Sequence, residues 1–177
     1  MNPDVARSSF DAIYEAESDA IFRFSIMRVS DRDVALDITQ ETFTRLWQSL
    51  LKGQELTNAR AFLFVVAKRL IIDWYRRNKP LALSSLDNSD TDEAFDIMDP
   101  TAYDKIVRGG EGRILLRSID QISGANRLAV RLRFVDDLTP QEIGEVLGIS
   151  ANAASVRITR GLDELRRISG IHIQERK

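Results

Sequence analysis

Between Ser84 and Asp104 the chain carries seven acidic residues, Asp87, Asp90, Asp92, Glu93, Asp96, Asp99 and Asp104, and not one Lys or Arg. A stretch so charged repels itself, lacks a sustained helical period and has too few apolar residues to fold alone. Pro80 precedes it, and Gly109, Gly110 and Gly112 follow it, residues that punctuate regular structure. The segment therefore reads as a flexible acidic linker over 84–112, dividing the chain into an N-terminal domain at 1–83 and a C-terminal domain at 113–177. Within it, Phe95, Ile97, Met98 and Tyr103 are the side chains able to dock on a partner. With 177 residues, 44% of them hydrophobic, the chain suits one ordinary domain or two small ones, and the linker decides for two.

The formal net charge of −2 hides this division. Residues 1–79 hold 12 basic against 11 acidic side chains, 80–112 hold 2 against 8, and 113–177 hold 11 against 8. Both flanks are slightly basic, with clusters at Lys68-Arg69, Arg76-Arg77-Lys79, Arg157, Arg160 and Arg166-Arg167, so either can meet a polyanion. There is no cysteine, and the one histidine, His172, lies in the C-terminal tail. That excludes a disulfide framework and a Cys/His zinc site, and suits a reducing cytosol. Apolar runs such as Ala61 to Ala67 are too short to span a membrane, and Met1-Asn2-Pro3-Asp4 does not open a secretory signal. A cytoplasmic protein without membrane insertion is expected.

The first flank reads as three or four helices without strands. Phe10, Ile13, Tyr14, Ile21 and Phe24 recur at spacings of three, four or seven, the stripe of an amphipathic helix. Ser30, followed by Asp33, predicts the start of a second helix, with Ala35, Ile38, Thr39, Thr42, Phe43, Leu46 and Leu50 on one face as far as Gly53. Asn58 predicts the cap of a third, in which Phe62, Val65, Val66, Leu70 and Asp73 share a side, ending before Pro80. Bundling these stripes gives an all-α domain.

The second flank carries a sharper local signal. Thr139-Pro140-Gln141-Glu142 combines a capping box with proline at the first helical position, and Ile143, Val146 and Leu147 then face a core. Gly148 ends that short helix, Ile149 packs inward, and Ser150 caps a new helix buried through Ala154, Ile158, Leu162, Leu165 and, in part, Val156. Two helices across a tight glycine turn make a helix-turn-helix, whose second member enters the DNA major groove by its N-terminal part. It would present Ser150, Asn152, Ala153, Ser155, Arg157 and Arg160. A preceding helix from Asn126 to Val135 supplies Leu128, Val130, Leu132 and Phe134 to the core.

Three stretches in order then carry a family resemblance. Asp37-Ile38-Thr39-Gln40-Glu41-Thr42-Phe43-Thr44-Arg45-Leu46-Trp47 resembles the polymerase-binding helix of bacterial sigma factors. Phe62 to Arg77 is similar to the family's helix that recognises and melts the promoter minus-10 element. Arg127, Phe134, Glu142-Ile143, Leu147-Gly148-Ile149-Ser150 and Arg157 to Arg160 resemble its minus-35 module. Two modules on an acidic linker match the extracytoplasmic-function group of the sigma-70 family. Leu36 stands where the family usually has an acid, Arg69 where Asn and Phe62 where Trp are frequent. Ala153, Ser155 and Val156 stand where Thr, Lys and Ser are common.

The resemblance implies core RNA polymerase, promoter DNA and an anti-sigma factor as partners, no cofactor and no catalysis. Asp37, Gln40, Glu41, Phe43, Arg45 and Trp47 would meet polymerase. Gly53, Gln54, Glu55, Asn58, Lys68, Arg69, Asp73, Trp74, Arg76 and Arg77 would meet minus-10 DNA, with the loop at 52–58 forming the pocket for a flipped base. Each motif also has a plainer reading: Phe43, Trp47, Trp74 and Tyr75 as core aromatics, and Glu41 with Arg45 as an exposed i,i+4 pair. Asp37 and Glu41 lack the converging groups that paired catalytic carboxylates need. An ordinary transcriptional regulator, with 1–79 sensing a ligand or dimerising, and an adaptor that sequesters a regulator are the competing functions.

Overall fold

A computed structural model describes residues 3–78, Phe95 and 110–169, and all regular structure among them is helical. The chain divides into two compact units, Met1–Ala102 and Tyr103–Lys177.

In the first unit α1 runs Pro3–Val29, α2 Arg32–Leu51 and α3 Ala59–Asn78. Ser30 does not cap α2 as the sequence suggested. It breaks the chain direction with φ at 58°, and Asp31 caps instead, its Oδ1 accepting the backbone N–H groups of Asp33 at 2.9 Å and Val34 at 3.1 Å. A residue in the left-handed region cannot hold the extended geometry of an N-cap, so the next acid takes the role. All seven residues expected on the inner face of α2 are buried there. The hydroxyls of Thr39 and Thr42 donate back to Ala35 and Ile38 carbonyls, both at 2.7 Å, which satisfies them inside the core. Gly53, at φ 73°, ends the turn after α2, and Asn58 caps α3 by accepting the Ala61 N–H at 2.9 Å.

The buried side of α3 differs from the expected one. Ala61, Leu63, Phe64, Val66, Ala67, Ile71 and Tyr75 are inside, whereas Phe62, Val65, Leu70 and Asp73 are half-buried. Residues 61–67 are apolar on every side, so periodicity could not choose the face. Packing chose it: Phe64 meets Phe24 of α1 edge-on at 4.8 Å, with Ile21, Leu46, Leu63 and Ile71 fully enclosed. On α1 the stripe holds at Ile21 and Phe24, but Tyr14 is 48% exposed. Arg60 binds both oxygens of Glu17, at 3.1 and 2.8 Å, linking α3 to α1.

The second unit holds α4 (Gly110–Ile119), α5 (Gly124–Phe134), α6 (Pro140–Leu147) and α7 (Ala151–Ser169). The first of these takes in Gly110 and Gly112, residues read as the linker's end. Phe134, expected in the core, is 53% exposed, because Leu128 and Leu132, one turn apart, set the inner side of α5 and Phe134 lies beyond it. The buried Arg131 pairs with Asp120, whose backbone carbonyl also accepts from Arg127 at 3.2 Å. Thr139 and Glu142 form the expected reciprocal capping box, and Gly148 takes the left-handed C-cap at φ 67°. Leu147 and Ile149 are half-buried, and Ala154, Ile158, Leu162 and Leu165 form the inner side of α7.

Candidate functional site

The α2 surface is built on an aromatic cluster. Phe10 meets Trp47 at 5.5 Å and Phe43 at 6.2 Å, and Tyr14 meets Phe43 at 4.8 Å. Phe43 is only 3% exposed, so it shapes this surface without presenting itself, and Trp47 is half-buried. Asp37, Gln40 and Glu41 are exposed, and the half-buried Arg45 donates through Nε to Glu41 Oε1 at 2.9 Å. Beside them Arg7, Phe10, Tyr14, Phe43, Thr44 and Trp47 line a groove of about 670 Å³ between α1 and α2. An apolar floor with a polar rim suits the side chains of a protein partner.

The α3 surface is cationic and aromatic. Arg69, Arg76 and Arg77 are exposed, while Lys68, Asp73 and Trp74 are half-buried. Trp74 rests edge-on against Tyr75 at 4.9 Å, and its carbonyl accepts from Asn78 Nδ2 at 2.9 Å. In the loop before α3, Gly53, Gln54 and Glu55 are exposed, and Gln54 N–H bonds the Ser49 carbonyl at 3.1 Å. Asn58 is half-buried with its side-chain oxygen engaged as the cap, which leaves Lys52, Gln54, Glu55 and Thr57 as the loop's exposed polar side chains.

The outer side of α7 presents Asn152, Val156, Thr159 and Arg160. Val156, read as partly inward, is 39% exposed, and Thr159 was not anticipated at all. Their spacing of four, three and one follows the helical period, which would have found them once Ala154 and Ile158 were fixed as inner residues. Ser150 is exposed, its Oγ accepting the Ala153 N–H at 3.1 Å. Ser155 donates back to the Ala151 carbonyl at 3.0 Å, and Arg157 and Ala153 are half-buried.

Three further residues place this helix. A Cβ on Gly144 would lie 2.8 Å from the Ile149 carbonyl oxygen, so only glycine admits the tight α6–α7 turn, where Ile149 N–H bonds Gly144 O at 2.9 Å. A Cβ on Gly161 would lie 2.5 Å from Val130 Cγ2 and 3.1 Å from the Asn126 carbonyl, so glycine lets α7 approach α5. Glu164 accepts from the Ser123 N–H and hydroxyl, each at 2.9 Å, and from Asn126 Nδ2 at 2.7 Å. The Ser123 N–H, then the Asn126 amide, hold its carboxyl below the usual glutamate range. Its partners Ser123 and Asn126 lie 41 and 38 residues away in the chain, beyond the reach of a local pattern.

Among the described residues no group of His, Cys, Asp and Glu could hold a metal ion, and no helix is long and apolar enough to cross a membrane. Family models for sigma-70 region 2 and sigma-70 region 4 match residues 13–80 and 119–167. The chain is 24% identical over 161 residues to the ECF RNA polymerase sigma factor SigX of Bacillus subtilis, covering 90% of this chain and 82% of that one. It is 26% identical over 160 residues to SigL of Mycobacterium tuberculosis, covering 88% and 85%. Its fold is similar to RpoE of Bartonella quintana, with a TM-score of 0.61 at 16% identity over 93% of this chain and 99% of the other. With both regions matched in order and such relatives aligned over most of their length, the chain belongs to the sigma-70 family, as an extracytoplasmic-function sigma factor that directs promoter-specific transcription.

Proposed function

We propose that the two units read two promoter elements in different physical states: α7 reads the minus-35 element as duplex, and α3 with the 52–58 loop captures the minus-10 element as a separated strand. The observation that carries this is the contrast between the two faces. The outer side of α7, following a capped α6 and a glycine turn, offers polar and cationic groups of major-groove size. On α3, the half-buried Trp74 stands near three exposed arginines, Arg69, Arg76 and Arg77, groups that stack on unpaired bases and meet phosphates. Core RNA polymerase binds the α2 surface through Asp37, Gln40, Glu41 and Arg45. Tethering both units to one enzyme lets two weak contacts act at high effective concentration. The acidic segment runs through a basic channel of polymerase, and an anti-sigma factor, such as the NepR bound to Bartonella quintana RpoE, is the inhibitory partner.

Run-off transcription on paired templates, one fully duplex and one mismatched across the minus-10 element, tests the division of labour. Replacing Arg76 and Arg77 by Ala lowers output from the duplex and recovers most of it on the mismatched template. Arg160→Ala lowers both alike. Equal rescue of the two variants would overturn the assignment.

A further inference from the structure

Val156 is an apolar residue on the outer side of α7, exposed and away from the core. Ala154, Ile158 and Leu165 are buried, and at the pitch of a helix all three fall roughly opposite it. Asn152 and Arg160, both exposed, lie one turn before and one turn after Val156 on its own side, each about 6 Å along the axis. Its immediate neighbours reach outward less: the Ser155 hydroxyl donates to the Ala151 carbonyl at 3.0 Å, and Ala153 and Arg157 are half-buried. A β-branched side chain also lowers helix propensity, so neither the core nor the helix itself accounts for valine at this position.

The isolation of this apolar group narrows what it can meet. Among the described residues of α7 the other large exposed apolar side chain is Ile168, about three turns further on, so the helix carries no apolar stripe of the kind that docks on a protein. In the DNA major groove the base edges present hydrogen-bond donors and acceptors and one projecting apolar group, the C5-methyl of thymine. Valine in a helix keeps one strongly preferred rotamer, so its methyl groups are already held in place. A fixed apolar tip between an amide and a guanidinium therefore favours thymine and disfavours bases whose polar edges it would strip of water.

We propose that Val156 is a specificity-determining residue of the minus-35 contact and reads the C5-methyl group of one thymine. The inference rests on the reading of α7 as the helix that enters duplex DNA. Asn152 and Arg160 supply the polar contacts on either side, and Val156 sets the base between them through shape and dryness rather than through a hydrogen bond.

The test uses the full chain bound to core polymerase. Promoter fragments randomised across the minus-35 element are selected for binding, and each thymine of the selected element, on either strand, is then replaced by deoxyuridine, which removes the methyl and keeps every hydrogen-bonding group. One such replacement weakens the parent by about 3- to 5-fold, the worth of a single buried methyl. Val156→Ser binds the thymine and deoxyuridine fragments alike, whereas Thr159→Ser, which drops the methyl of an exposed neighbour, keeps the parent's preference. If Val156→Ser loses helicity, Val156→Ala, a better helix former, takes its place. A parent indifferent to deoxyuridine at every position, a preference that survives in the Val156 variant, or one that disappears in Thr159→Ser overturns the inference while leaving α7 as the duplex reader. Failure to select any minus-35 element, or unchanged binding of the selected fragments by Arg160→Ala, overturns both.

Discussion

In the N-terminal unit helices of 27, 20 and 20 residues meet through rings and small side chains, whereas in the C-terminal unit four shorter helices are fixed by caps, glycines and one long-range carboxylate. The first arrangement spreads its specificity over Phe24, Phe64, Leu46 and Ile71, whose mutual fit appears only when the helices are together. The second concentrates it in a few groups with local duties, such as the Thr139–Glu142 box and Gly148. The difference suits what each unit presents. A broad, partly apolar surface on α1 and α2 can be carried by a distributed core, while a helix that must enter a groove needs its angle and start set by a handful of contacts.

The largest expected effect comes from breaking the distributed core. Phe64→Ala removes a fully buried ring stacked edge-on to Phe24 and should cost about 3–5 kcal/mol. Both tryptophans, Trp47 and Trp74, lie in this unit, so a urea titration followed by tryptophan fluorescence reports it directly. A loss below about 1 kcal/mol would mean that the unit tolerates a cavity and that its packing is less specific than described.

Gly161→Ala probes the other strategy with one carbon. The added Cβ meets Val130 and the Asn126 carbonyl, and should cost about 1–3 kcal/mol by forcing α7 away from α5. Amide exchange across residues 124–169 measures it. Full protection in the variant would show that α7 is not held by this close approach.

These two positions also show what the sequence could reveal. The second and third helices of the first unit, the capping box, the glycine turn and the inner residues of α7 were legible because caps and periodicity act over a few residues. The face of α3 was not, since residues 61–67 are apolar all round and only the choice of partners distinguishes Phe64 from Phe62. Ser30 drew the α2 cap one residue too early because its left-handed backbone cannot be read from its side chain. Gly161 and Glu164 act on partners 31 or more residues away in the chain, beyond any local pattern. At the candidate sites the polar residues of α2 and α7 were found at the surface, while Phe43 proved internal and Thr159 was missed.

A smaller effect should come from Glu164. Its carboxyl is held below the ordinary value of roughly 4.3, so its contribution is present above that pH and is lost as pH falls through the lower value of the folded state. The group is partly exposed, so the contribution should be on the order of 1 kcal/mol or less. Glu164→Gln should lower stability near neutral pH and flatten its decline in acid, measured by thermal unfolding between about pH 3 and pH 7. A parent-like acid slope in the variant would remove Glu164 as the clamp between α7 and the start of α5.

The central claim, that one protein couples polymerase to a two-part promoter, is tested most directly by run-off transcription from a pool of genomic fragments with purified core RNA polymerase. With the intact chain, transcripts should start from a restricted set of fragments sharing two upstream elements at constant spacing. Reversing the charges of Glu41 and Arg45 should abolish that set while the protein keeps its helicity. Transcripts no more selective than those from core polymerase alone, or a full set from the charge-reversed protein, would contradict the account.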